Sequence, residues 1–166
     1  MQKQENNYAF IDSQNLYRGI ESLGWKIDWN RFRKYLLEKY SVQTAYLFIG
    51  YIPQNDNLYA SLQKEGFILK FKPVLLGNDG KPKGNVDADM VLQVMVDYLN
   101  YDKAIIISSD GDFYSLVRHL YENKKLKFVL SPHKDTCSSL LKKTAKEKIV
   151  YMNNLRKKIG KMKNTA

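Results

Sequence analysis

A chain of 166 residues with 44% hydrophobic content is long enough for one domain that buries roughly two-thirds of its unfolded surface, and too apolar for disorder throughout. The formal net charge of +10 favours polyanionic partners, since each phosphate neutralised by a lysine or arginine releases counterions. No apolar run approaches the roughly 20 residues of a membrane span, the N-terminus MQKQENN lacks a signal-peptide core, and the single cysteine, Cys137, cannot build a disulfide framework, so a soluble cytoplasmic protein without a membrane partner is expected.

Tyr8-Ala9-Phe10-Ile11 reads as a first strand that ends at Asp12, with Asn15 close behind. Asp28 caps a helix whose apolar positions Trp29, Phe32, Tyr35 and Leu36 recur at helical spacing. Gln43 to Tyr51 carries a wholly apolar core, Ala45 to Ile49, as suits a strand covered on both faces. Asn57 to Glu65 reads as a helix closed by Gly66. Phe67 to Val74 then alternates apolar residues with Lys70 and Lys72, the pattern of an exposed edge strand guarded by lysines. Gly77 to Asn85 is a turn-rich loop with no apolar side chain.

Asp87 to Asn100 is apolar almost all round, which predicts a buried helix. Lys103 to Ser109 is the next strand, a β-branched run delivering Asp110 and Asp112 on either side of Gly111. Phe113, Leu116, Val117, Leu120 and Tyr121 follow at helical spacing, and Leu126 to Leu130 is a last clear strand. From Lys142 onward nine Lys/Arg face one acid, Glu147, so residues 1–151 read as one domain and 152–166 as a basic C-terminal tail. Helices alternating with strands argue for an α/β protein, a three-layer α/β/α sandwich around a mostly parallel sheet with right-handed crossovers. Sites in such sheets form beyond the carboxyl ends of strands, where strand order reverses. Asp12 and Asp110 both stand at such ends.

Taken singly, each acid has a plain structural role. Asp87 can cap a helix, Asp89 can sit in a first turn, and Asp12 and Asp110 can cap the segments that follow them. Their joint arrangement says more. A chain of charge +10 places Asp12, Asp87, Asp110 and Asp112 at element ends expected to converge, and gathered carboxylates need protons or a cation to coexist. Oxygen donors suit Mg²⁺ or Mn²⁺, and carboxylates on two such ions can orient an attacking water and stabilise the departing oxygen of a phosphodiester. Asp87 shares a helical face with Val91 and is expected to be the ligand, with Asp89 peripheral. Asn15 either bonds to Asp12 or a bound water, or caps the segment after the strand. Lys81, Lys83 and Arg18 are expected to hold the substrate backbone. His119 and His133 lack zinc-ligand spacing, Cys137 sits in a polar run, no serine lies in a Gly-x-Ser-x-Gly turn, and no Gly-rich loop ends in Lys-Ser/Thr.

Phe10-Ile11-Asp12-Ser13-Gln14-Asn15-Leu16, Lys83-Gly84-Asn85-Val86-Asp87 and Ser108-Ser109-Asp110-Gly111-Asp112-Phe113, in this order, resemble the NYN domain. The likeness is to its LabA/DUF88-like branch within the PIN-like nuclease superfamily, and it runs from about Tyr8 to about Tyr151. The resemblance implies a PIN-like fold, an acidic site binding Mg²⁺ or Mn²⁺, and endoribonuclease action on RNA, with DNA also open as a substrate. It carries Asp12, Asp87, Asp110 and Asp112 onto the family's acidic positions and Asn15 onto its polar one. Ser109 stands where many relatives have glycine, and Gly111 where many have serine. Two readings follow: a metal-dependent ribonuclease, or a binding module for RNA or protein that kept the acids without the chemistry. Homo-oligomerisation is left open.

Overall fold

The computed structural model describes residues 3–73, 75–80, 82–83 and 86–163. In chain order the elements are β1 (Asn7–Asp12), α1 (Ser13–Ser22), α2 (Trp29–Tyr40), β2 (Val42–Tyr51), α3 (Asp56–Lys64), β3 (Phe67–Pro73), β4 (Leu75–Leu76), β5 (Pro82–Lys83), α4 (Asp87–Val96), β6 (Ala104–Ile107), α5 (Tyr114–Glu122), β7 (Leu126–Ser131), α6 (Ser139–Ala145), β8 (Ile149–Tyr151) and α7 (Arg156–Ile159). Six strands form one sheet in the order β3-β2-β1-β6-β7-β8, every pair parallel. The short β4 and β5 pair separately as an antiparallel ribbon.

Two apolar clusters pack against the sheet, one on each face. Leu16 and Ile20 of α1, Phe32 and Leu36 of α2, Leu62 of α3 and Ile159 of α7 share one cluster with Ala9, Ile11, Ile105 and Ile107. Met90 and Val94 of α4, Leu116, Val117 and Leu120 of α5 and Leu141 of α6 share the other with Phe10, Phe48 and Ile106. Strand β6 is buried on both faces, which is why Ile105, Ile106 and Ile107 run without a polar interruption. Each of those isoleucines contributes about 1.5–3 kcal/mol by leaving water. The predicted three-layer α/β/α sandwich is the fold, with the sheet wholly parallel.

Three features of the chain differ from the reading of the sequence. Helix α1, directly after β1, carries only Leu16 and Ile20 as large buried side chains and gave no long apolar period. Helix α4 stops at Val96 rather than Asn100 and buries only Met90 and Val94. Its outer stripe, Leu92, Met95 and Val96, stays in solvent, and Leu99 in the turn beyond is 92% exposed. A helix apolar all round was expected to be covered all round; here the sheet meets one face, and among the described residues nothing covers the other. The third feature is the C-terminal stretch expected as a basic tail. It folds back, with Met152 and Ile159 fully buried and Ile27 bridging Gly160.

No helix is long and apolar enough to cross a membrane among the described residues.

Candidate metal centre

Strand order counts outward in opposite directions from β1 and β6, so the reversal falls between these two neighbours. Their carboxyl ends deliver Asp12 and the loop Ser108-Ser109-Asp110 to the crevice where open α/β sheets place ligands. Helix α4 begins at the same end and brings Asp87 in its first turn. One carboxylate oxygen from each of Asp12, Asp87 and Asp110 lies within 4.8 Å of the other two. Three residues separated by as many as 98 positions thus meet at one point.

The plain structural roles and the convergence coexist. Asp12 caps α1, its Oδ1 accepting from the Asn15 amide at 3.3 Å, while its Oδ2 accepts from Ser108 Oγ at 3.3 Å. Asp110 caps the 3-10 turn Gly111–Phe113, its Oδ1 accepting from the Asp112 amide at 2.9 Å. The capping position of α4 is Val86, so Asp87 stands inside the first turn rather than at the cap. Asp12 is only 6% exposed, and burial holds its pKa above the ordinary carboxylate value. The bonds from Asn15 and Ser108 oppose that rise, Asp110 adds to it by like-charge repulsion, and Arg18 works against it.

Asn15 acts on both sides of the cleft. Its amide binds Asp12, and its side-chain oxygen accepts from the Ser109 amide at 2.9 Å and from Ser109 Oγ at 3.1 Å. This clamp ties the start of α1 to the loop after β6, so Asp12 and Asp110 are positioned by one polar network. The sequence shows Ser108 and Ser109 as the end of a strand and as part of a motif, without these bonding roles. The signal available there was their place immediately before Asp110, where a hydroxyl can satisfy a carboxylate or loop amide.

Asp112 does not join the other three. It is exposed, in the turn where Gly111 and Phe113 flank it, and its recorded bond is the amide donated to Asp110. Gly111 itself is required for space rather than for a left-handed backbone: a Cβ there would stand 2.4 Å from Ser138 Oγ and 3.0 Å from Ser138 Cβ. Asp89 is exposed and outside the cluster, as expected. Of the expected basic contacts, Arg18 lines the cleft, Lys81 lies outside the described residues, and Lys83 lies on β5 opposite Leu75.

Around the acids is a cleft of about 770 Å³. Its walls include Arg18 and Lys72, and its mouth carries Tyr17, Ile52 and Leu58, which are 52%, 41% and 43% exposed. The donor set fits a hard divalent cation: three carboxylates, partly or fully shielded from water, share one small volume and repel one another without a counter-charge.

Comparison with known proteins agrees with this fold. None of the curated proteins matches the chain. Its fold is similar to the crystal structure of a protein of unknown function from Vibrio parahaemolyticus, at 24% identity and a TM-score of 0.75, covering 93% of this chain and 98% of that one. The NYN domain is matched over residues 8–153, a span that holds all of the six-stranded sheet but Asn7 and all three clustered aspartates. The chain therefore belongs to the NYN domain family.

Proposed function

We propose that this NYN domain is a divalent-metal-dependent ribonuclease, an endonuclease that hydrolyses RNA phosphodiesters, and that it belongs to the LabA/DUF88-like branch. The single observation that carries the reading is the convergence of Asp12, Asp87 and Asp110 within 4.8 Å at the reversal point of the sheet. These three residues would hold Mg²⁺ or Mn²⁺. Such an ion, when bound, offsets the repulsion between carboxylates and phosphate and makes a water more acidic.

The chain's own residues do the rest. Arg18 and Lys72 on the walls draw the strand's phosphate into a cleft that would otherwise repel it. Tyr17, exposed at the mouth beside Ile52 and Leu58, offers a flat apolar surface for an unpaired base. Asn15 and Ser108 keep Asp12 aimed into the cleft, and Asp110 is held at the start of its turn. A water adds to phosphorus, the phosphorus–oxygen bond to the leaving ribose breaks, and the ribose oxygen departs with a proton.

The test is incubation of purified protein with single-stranded and structured RNAs, and with matched DNAs, in Mn²⁺ or in chelator. Metal-dependent cleavage of RNA that disappears in Asp110→Asn is expected. Cleavage no greater than that of Asp110→Asn in every RNA tried overturns the proposal and leaves a binding module.

A further inference from the structure

A second cleft, of about 670 Å³, lies between α2 and α7 and shares no residue with the first. We infer that it is a separate binding groove for single-stranded RNA, holding the phosphate backbone of a strand whose other end enters the acidic cleft. The nuclease reading above supplies only the identity of that strand.

The groove exists because the C-terminal stretch is not free. Ile159 is fully buried, Gly160 bridges Ile27, and Arg31 of α2 donates from one terminal nitrogen to the Gly160 carbonyl at 2.6 Å and from the other to the Lys157 carbonyl. That anchoring brings two distant segments of the sequence side by side. Lys34 and Lys39 stand on one wall, Lys157 and Lys158 on the other, with Glu38 the only acid lining the groove among the described residues. All four lysines are exposed, and among the described residues none forms an ion pair. The bridge also sets the backbones of Lys26 and Lys161 next to each other, joined by the Lys161 amide donating to the Lys26 carbonyl at 2.8 Å.

Like charges so placed repel one another, so the four lysines add nothing to the stability that burial of Ile159 gives this end of the chain. A bound polyanion converts the repulsion into attraction. Phosphodiester rather than carboxylate chemistry is favoured by Tyr35, which lies half-buried in the same groove and gives an unpaired base a surface to stack on. Spaced lysines with an interleaved aromatic track a flexible backbone without reading sequence. The acidic cleft alone carries the chemistry; the groove sets how much of a long strand the protein holds.

The experiment compares wild type with Lys34→Ala/Lys39→Ala/Lys157→Ala/Lys158→Ala, and with a charge-matched control, Lys3→Ala/Lys64→Ala/Lys124→Ala/Lys143→Ala, whose lysines are exposed elsewhere. Circular dichroism verifies the fold, and Lys→Gln at the same four groove positions serves if the alanine variant melts early. Binding of a long unstructured RNA is followed by fluorescence anisotropy against salt, with chelator present. The groove variant should bind roughly tenfold or more weakly, and its slope of log affinity against log salt should fall by about 3, near 0.7 per lysine for a single strand. A dinucleotide, too short to leave the acidic cleft, should be cleaved at the wild-type rate. Equal loss in the groove variant and the control, or an unchanged slope, overturns the groove. Failure of wild type to cleave any RNA, with the slope change intact, removes the nuclease reading and leaves the groove standing.

Discussion

Neutralising Asp110 tests whether the three carboxylates hold one another in electrostatic tension. Their ligand oxygens lie within 4.8 Å. Two unit charges at that separation repel by about 3.5 kcal/mol at an effective dielectric constant near 20, and by about 0.9 kcal/mol at that of bulk water. Asp110→Asn removes two of the three pairs, or about 2 to 7 kcal/mol of repulsion. Proton uptake by Asp12 and rotation of Asp87 bring the observable gain to the lower end, near 2 kcal/mol. Asparagine keeps the oxygen that accepts from the Asp112 amide, so the turn retains its cap. In chelator the variant should melt about 4–8 °C above wild type, at roughly 2–4 °C per kcal/mol for a chain of this size. Added Mn²⁺ should reverse the order, because a ligand at a hundred times its Kd stabilises the protein that binds it by about 2.7 kcal/mol. Thermal melts by circular dichroism across a Mn²⁺ titration measure both arms. An Asp110→Asn protein that melts at or below wild type in chelator, and responds to Mn²⁺ as wild type does, refutes the argument.

Asp12 predicts a dependence on pH. Burial raises its pKa in the folded protein, so the fold binds that proton more readily than the unfolded chain does. Metal-free stability should therefore fall as pH rises from the ordinary carboxylate pKa through the raised value, and stay lower above it. Urea denaturation across that range should show a smaller fall in Asp12→Asn; an identical profile removes Asp12 as its source. Gly19→Ala sets two effects against each other: alanine favours an exposed helix interior by about 1 kcal/mol, but its Cβ would meet Pro132 Cβ at 2.5 Å. A rigid ring cannot yield, so overpacking at about 1–3 kcal/mol should win, and chemical denaturation reads the sign. Asn15→Ala leaves the Ser109 amide without its acceptor, costing about 1–3 kcal/mol. Calorimetry should find Mn²⁺ affinity reduced as well, since Asp12 and Asp110 lose the residue that links them.

The elements that deliver the acids were legible because each is spelled out locally. Three consecutive isoleucines ending in two serines announce β6 whatever surrounds it, and Asp28 announces the start of α2 in the same way, by accepting from the Arg31 amide at 3.1 Å. Adjacency is another matter. That β1 lies beside β6, and so Asp12 beside Asp110, follows from a strand order no local pattern encodes; only the rule that ligands gather at the reversal point led from one to the other. Asp112 was grouped with Asp110 because one glycine separates them, but the 3-10 turn turns its side chain to solvent.

Both failures of apolar reading have one cause: hydrophobic pattern reports what a side chain prefers, not whether a neighbour arrives to satisfy it. Leu92 and Leu99 stay 63% and 92% exposed, while Ile159, amid four lysines and an arginine, reaches the core through the grip of Arg31 on the carbonyls around it. The charges obey the same rule. Lysines at 157 and 158 looked like the solvated end of a chain, and beside Lys34 and Lys39 they become one wall of a groove. Within a chain of large positive excess, hydroxyl and amide donors hold Asp12 and Asp110 in place while Asp87 comes within 4.8 Å of both. The acidic cleft and the basic groove are thus opposite in sign: one favours a cation and the other an anion, and under the proposed function a strand of RNA with its divalent counterions would supply both at once.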